Sequence, residues 1–389
     1  NNLTPSSLPE NIFEKLINYY LTTLSNYPDK NDKVEFEILF TCLDFSFDKR
    51  SNDLLMNGFN SSEINILKKE LLSLTDNIVT GKTYPIEQIK NSFQTIERNR
   101  NKILLNYKES KDVFLTIRLL LDNCIKYGTI PFAILARYAF IANSLLRSLA
   151  HEKIFSIERS NLFFNSISTI ATKLLEDLDY CLKGKINRED FLDSYGHLRP
   201  GTYDINSKKY SENFENYFNV KNYKKLSKDY QNKSFKLDVN ELNNINLALE
   251  KNNFSFSARD LLSFSESAIS NREFGKFKFT KCISTIFDLL IDFGKKNNIS
   301  RDDLSFIEID DLLTLNNKFS SSKNINHLKK LINKNKIKFK KNELVHLPNI
   351  IFEEKDVNIV KFLKSRPNFV TQGKVSAKTV FLENNNKFV

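Results

Sequence analysis

Ile130-Pro131-Phe132-Ala133-Ile134-Leu135-Ala136-Arg137-Tyr138-Ala139-Phe140-Ile141-Ala142-Asn143-Ser144-Leu145-Leu146 is the most apolar run of the chain, and its reading decides the fold. Wound into a helix over 131–152, it is apolar around much of its circumference, which suits the centre of a bundle. Arg137 and Asn143 interrupt the run, which is too short to cross a bilayer. A buried helix in a soluble, cytoplasmic protein with no membrane partner is the expectation. Residues 112–127 and 161–182 carry similar patterns, so three such helices sit at the middle of a mainly α fold. Around them, 10–26, 61–77, 86–106, 239–251, 258–271 and 276–297 show apolar residues at helical spacing. Ser300-Arg301-Asp302-Asp303 caps a further helix. Two regions read differently. Val34, Phe36, Ile38 and Phe40 alternate with other residues, which predicts a strand ending near Asp44. In the tail, Ile337, Phe339, Leu344 and Ile350-Ile351-Phe352 predict short strands, and 370–382 is β-like. The expectation is a multi-helix domain with small β elements near both ends.

Bulk properties narrow the class. At 389 residues the chain is too long for one compact domain. A hydrophobic content of 41%, with 33 Phe and 14 Tyr, supplies an ample core. The net charge of +11 comes from 45 Lys and 13 Arg against 47 acidic residues. Those lysines are scattered, with local runs at 221–225 and 329–341, so nucleic acid is not the expected partner. A small anionic ligand fits the same excess. Cys42, Cys124, Cys181 and Cys282 form no Cys-x-x-Cys pair and suit reduced thiols. His151, His327 and His346 lack metal-ligand spacing, so no metal is assigned. The segment 206–236 turns to Ser, Asn, Lys and Tyr, as a surface excursion or lid would.

Chemistry concentrates in Tyr195-Gly196-His197-Leu198-Arg199-Pro200-Gly201-Thr202-Tyr203-Asp204. The two glycines and the proline break a helix and allow close backbone approach. His197 is the candidate for proton transfer, because its ordinary pKa lies near neutrality. Arg199 has a planar fork suited to a carboxylate or phosphoryl group. Asp204 suits a substrate ammonium, or Arg199 itself, and Tyr203 can line the pocket or simply pack. The same residues also suit a helix-terminating loop whose polar groups cap their neighbours. Arg137 must be paired if buried, with a ligand or with Glu37 or Asp122. Arg272, Glu273 and Lys276 form a second polar cluster, and its two like charges one turn apart suit an intervening anion or a solvated face.

The 195–204 segment resembles the Gly-His-Arg-type segment of the phosphoenolpyruvate synthase and pyruvate phosphate dikinase superfamily. Four other stretches are similar to that superfamily and fall in its order: 32–38, 127–133 with Ala136-Arg137, 272–277 and 367–371. The resemblance is to the branch whose substrate domain lies between an ATP-grasp domain and a swivelling phosphohistidine domain. Glutamine kinases of capsular phosphoramidate synthesis are the nearest group, and rifampicin phosphotransferases are the alternative. It implies three parts: 1–60 following or completing an ATP-grasp domain, 61–335 as the helical substrate domain, and 336–389 as a linker toward a phosphohistidine domain. It implies an ATP-dependent transfer from phosphohistidine to L-glutamine, yielding glutamine phosphate, AMP and phosphate. The chain shows no phosphate-cradling glycine loop and no Gly-Gly-x-x-Ser-His-like segment. It therefore reads as an inactive fragment without cofactor, with ATP and Mg2+ belonging to the full enzyme. A non-catalytic helical binding module is the reading from another class.

Overall fold

The computed structural model describes residues 4–218, 235–314, 322–345, 347, 351 and 354–358. Among these residues the fold is helical, and no strand occurs. The N-terminal part comprises α1 (Glu10–Asn26), α2 (Val34–Glu37), α3 (Phe47–Met56), α4 (Ser61–Val79) and α5 (Ile86–Ser110). Next come α6 (Val113–Cys124), a π turn (Ile125–Thr129) and α7 (Ile130–His151). Four shorter helices follow: α8 (Ile157–Ser166), α9 (Ile170–Leu182), α10 (Arg188–Tyr195) and α11 (Tyr210–Tyr217). The chain continues with α12 (Val239–Lys251), α13 (Ala258–Lys296), α14 (Arg301–Leu304), α15 (Ile309–Thr314) and α16 (Ser322–Asn342).

The axis of the fold is α13. At 39 residues it is about 58 Å long, given 1.5 Å per residue. Leu261, Phe264 and Ala268 in its first half join a core with Leu16, Leu54, Leu67, Leu71, Leu145 and Leu249. Phe279, Cys282, Ile286 and Leu290 in its second half join another with Ile96, Ile117, Leu120 and Leu328. Residues of α1 and of 38–47 share the first core with α4, α7 and α12.

Sequence spacing predicts a break between 271 and 276, yet α13 runs through it. A β-carbon placed on Gly275 would stand 2.6 Å from Cζ of Phe93, which is fully buried. The glycine is a helix-packing notch, not a terminator. Gly128 does the same: a β-carbon there would lie 2.7 Å from Cβ of Phe279. Gly128 sits in the π turn, where the helix absorbs Pro131, a residue that lacks an N–H and crowds the carbonyl four residues back. So α6, the π turn and α7 form one 39-residue helix, Val113–His151. By length and composition that helix is apolar enough to cross a membrane, contrary to the reading of 130–146 as too short. Half of its most apolar window, 50%, is buried in the protein.

The predicted strand at 34–40 is instead the single turn α2 followed by an irregular segment with buried Ile38, Leu39, Phe40, Cys42 and Leu43. Side chains of three helices replace the missing ladder. Tyr20 Oη accepts from Phe40 N at 3.0 Å, Thr75 Oγ1 from Leu43 N at 3.0 Å, and Ser148 Oγ from Phe45 N at 3.2 Å. Arg50 donates to the Leu39 carbonyl at 2.8 Å. Thr75→Val keeps the shape but strands a buried N–H, so it should cost about 2 kcal/mol of unfolding free energy in urea titration. An unchanged midpoint would mean that the hydroxyl does not hold the segment.

Three further expectations are corrected. The 161–182 pattern is two helices, because Thr169 starts a new one by capping Thr172. Ile337 and Phe339 lie on α16, not on strands, and Phe339 packs on Phe306 at 5.6 Å between ring centres. Part of the 206–236 excursion is α11. Residues 219–234, Ile350, Phe352 and 367–382 lie outside the described residues.

Candidate functional site

The signature loop begins where α10 ends. Asn187 caps that helix through Glu189 N at 2.9 Å. Tyr195 is buried in an apolar cluster with Leu178, Phe191 and Phe214, and its hydroxyl donates to Asp177 at 2.7 Å. Residues 196–211 then close on themselves, with Tyr210 N donating to Leu198 O at 2.8 Å and Ser211 N to Gly196 O at 3.1 Å. Inside this Ω-shaped loop, Gly201 N donates to Ser207 Oγ at 3.0 Å. A β-carbon on Gly201 would stand 3.1 Å from both Asp204 Cβ and Ser207 Cβ, so the tight crossing favours glycine.

The loop docks on α13, and His197 makes one of the contacts. Its ring lies 4.8 Å from that of Phe277, and Nε2 is 3.3 Å from the Phe277 carbonyl. A carbonyl only accepts, so Nε2 carries the proton and Nδ1 presents a lone pair. That Nδ1 is buried and has no hydrogen-bond partner. Burial, then Lys281, Arg100 and Lys278, push the imidazole pKa down to about 4, against the opposing Phe277 bond. His197 is therefore neutral at pH 7.

Other predicted residues are placed differently. Arg199 is only 6% exposed. It donates to Ser284 Oγ at 2.9 Å and to Ser207 O at 3.4 Å, and lies over the Phe287 ring at 5.0 Å. Its guanidinium ties the loop to α13 and is turned inward. Asp204 is exposed and accepts from Asn206 N at 2.8 Å, holding its own turn. Arg199 and Asp204 thus do not form an open pair for a free amino acid. Tyr203 projects outward, 64% exposed.

Arg272 lies against Phe132 and Phe140, at 6.0 and 5.9 Å from the ring centres, and pairs with Glu273 at 2.6 Å. Its Nε is buried without a partner. Lys276 is exposed on the same helix. Arg137 is half-buried near Cys42 and Tyr138, which belong to the first core rather than the cluster holding the loop, and burial lowers its pKa.

Two groups escaped the sequence reading. Arg100 on α5 and Lys278 and Lys281 on α13 act electrostatically on His197, and Glu97 stands 2.6 Å from Lys278 and 4.0 Å from Lys281. Their local signal was only the spacing of Glu97 with Arg100 and of Lys278 with Lys281. Arg147 lies over the Phe36 ring at 4.6 Å and, with His151, borders two adjoining clefts of about 400 and 550 Å3. Phe36 also meets Phe140 at 5.7 Å, so residues of 32–38 and α7 are neighbours. Among the described residues no cluster of His, Cys, Asp or Glu could hold a metal ion. No protein-family model, no curated protein and no solved structure matches this chain.

Proposed function

We propose that this chain is the acceptor-binding, helical part of an ATP-dependent phosphotransferase of the dikinase type, with L-glutamine as acceptor. The observation that carries the reading is His197: a neutral imidazole with a bare Nδ1, set among Arg100, Lys278 and Lys281 in the segment that carries the family resemblance. A bare lone pair accepts a proton from an attacking group, and neighbouring cations stabilise phosphoryl charge. In the reaction so read, the side-chain amide attacks phosphorus and the bond from phosphorus to the donor histidine breaks. The amide proton passes to Nδ1. ATP, Mg2+ and the donor histidine belong to other domains of the same enzyme, in the cytoplasm. Arg199 fixes the loop in this scheme, and Tyr203, Arg272, Glu273, Lys276 and Arg137 are the remaining candidates for holding the acceptor.

Thermal unfolding with L-glutamine, D-glutamine and L-glutamate tests it. A ligand bound only by the folded chain adds about 2.7 kcal/mol of stability at a hundred times its Kd. L-Glutamine should raise Tm in a saturable, stereoselective way. No response to L-glutamine up to solubility would refute the acceptor assignment and leave the helical binding module.

A further inference from the structure

The basic cluster beside His197 is built in a way that a solvated face is not. Arg100 comes from α5, Lys278 and Lys281 from α13, and His197 from the loop. The side chains of Lys278 and Lys281 are 21% and 25% exposed, so water screens them incompletely. Glu97 is the carboxylate within ion-pair distance of both lysines, while Asp193 acts on Lys281 from farther away. Arg100 donates to neutral oxygens only, to Thr285 Oγ1 at 3.3 Å and Asn101 Oδ1 at 3.0 Å. Three cations thus face one close carboxylate where α5 packs on α13, with both lysines only partly exposed. Burial and Arg100 already lower the pKa of Lys281, which records the unfavourable crowding. Such crowding is relieved by a multivalent anion.

We propose that Arg100, Lys278 and Lys281 seat a tetrahedral dianion of the phosphate class near His197, and that its arrival makes the imidazole a competent proton acceptor. A dianion has oxygens enough for guanidinium and ammonium donors together, whereas a carboxylate offers two. Its charge offsets the three cations that add to burial in lowering the His197 pKa. By linkage, the anion then favours the protonated imidazole and the protonated imidazole favours the anion. The seat stands on the shared Glu97 pairing and on the charge that the three cations exert on His197, while its use in proton transfer rests on the phosphotransfer reading. The base would be weak until the phosphoryl group is present.

NMR of the His197 ring protons in the whole chain tests the proposal, with His197→Gln to assign them. Sulfate serves as the probe, because its charge does not change between pH 4 and pH 8, and chloride at matched ionic strength is the control. Sulfate should shift the His197 signals saturably and move their pH midpoint upward from about 4. Arg100→Gln and Lys281→Gln should each weaken sulfate by about tenfold or more, while Lys296→Gln, at the far end of α13, should leave it unchanged. Tighter binding of an N-phosphorylated histidine dipeptide than of inorganic phosphate would identify a protein-borne phosphoryl group. The reverse order would identify free phosphate. Chloride-like, unsaturable shifts, or equal sulfate affinity in both cluster variants with native spectra, would overturn the seat. A sulfate response without L-glutamine binding keeps the seat and removes the acceptor reading, and L-glutamine binding without a sulfate response does the opposite.

Discussion

Gly275→Ala should destabilise the chain by roughly 3 kcal/mol, the upper end of what overpacking costs. Helix propensity alone predicts the other sign, because alanine is favoured over glycine by about 1 kcal/mol inside a helix. The new methyl would lie 2.6 Å from Cζ of Phe93 and 3.1 and 3.2 Å from its Cε atoms, and that ring is fully buried. Phe93 also packs edge-on to Phe274 at 6.2 Å, which limits its retreat. Either the ring turns or α13 moves away from α5. Phe93→Leu should therefore be much less harmful in a chain that already carries Gly275→Ala than in the parent. Urea unfolding of the parent, the two single variants and the double variant measures that coupling. A Gly275→Ala chain as stable as the parent would show that the notch is not needed.

Acid should weaken the folded chain through His197, by roughly 3 kcal/mol between pH 6.5 and pH 4. The sign follows from the depressed pKa of about 4 in the folded state, against 6.5 for a free imidazole. Above pH 6.5 both states hold a neutral ring and no stability is lost. As pH falls through that window the unfolded chain takes up a proton that the folded chain refuses, so unfolding is favoured. Carboxylates titrate there too, and subtracting the curve of His197→Gln removes their share. The difference between the two chains should change by the full amount across the window. Parallel curves would mean that the imidazole is solvated and that the cluster does not act on it.

Helix positions were largely legible because their start signals are local. Asn60 with Glu63, Asp238 with Glu241, Ser257 with Asp260 and Ser300 with Asp303 all form reciprocal caps within four residues. Where sequence reading failed, the deciding partner was distant. Gly275 looks like a terminator until Phe93, 182 positions earlier, is seen to need the space. The 34–40 alternation looks like a strand until Tyr20, Thr75 and Ser148 supply the hydrogen bonds that a neighbouring strand would have supplied. At the site, the residue types of 195–204 were visible but their directions were not. Arg199 turns inward because Ser284 and Phe287 lie about two and three turns beyond Phe277 on α13. The cations next to His197 come from helices read as ordinary amphipathic faces.

The long helix α13 also sets an order of events during synthesis. Both apolar cores contain residues of α13, yet most of their other walls lie before residue 152. On a ribosome, α1 to α7 emerge before α13 and must wait for about 145 more residues, or roughly 7–30 s at ordinary elongation rates. Throughout that interval Leu67, Leu120, Leu145 and their neighbours have no lid. The nascent chain should therefore be a client of holding chaperones until α13 appears, and a stalled or truncated chain ending before residue 258 should be degraded rather than accumulate.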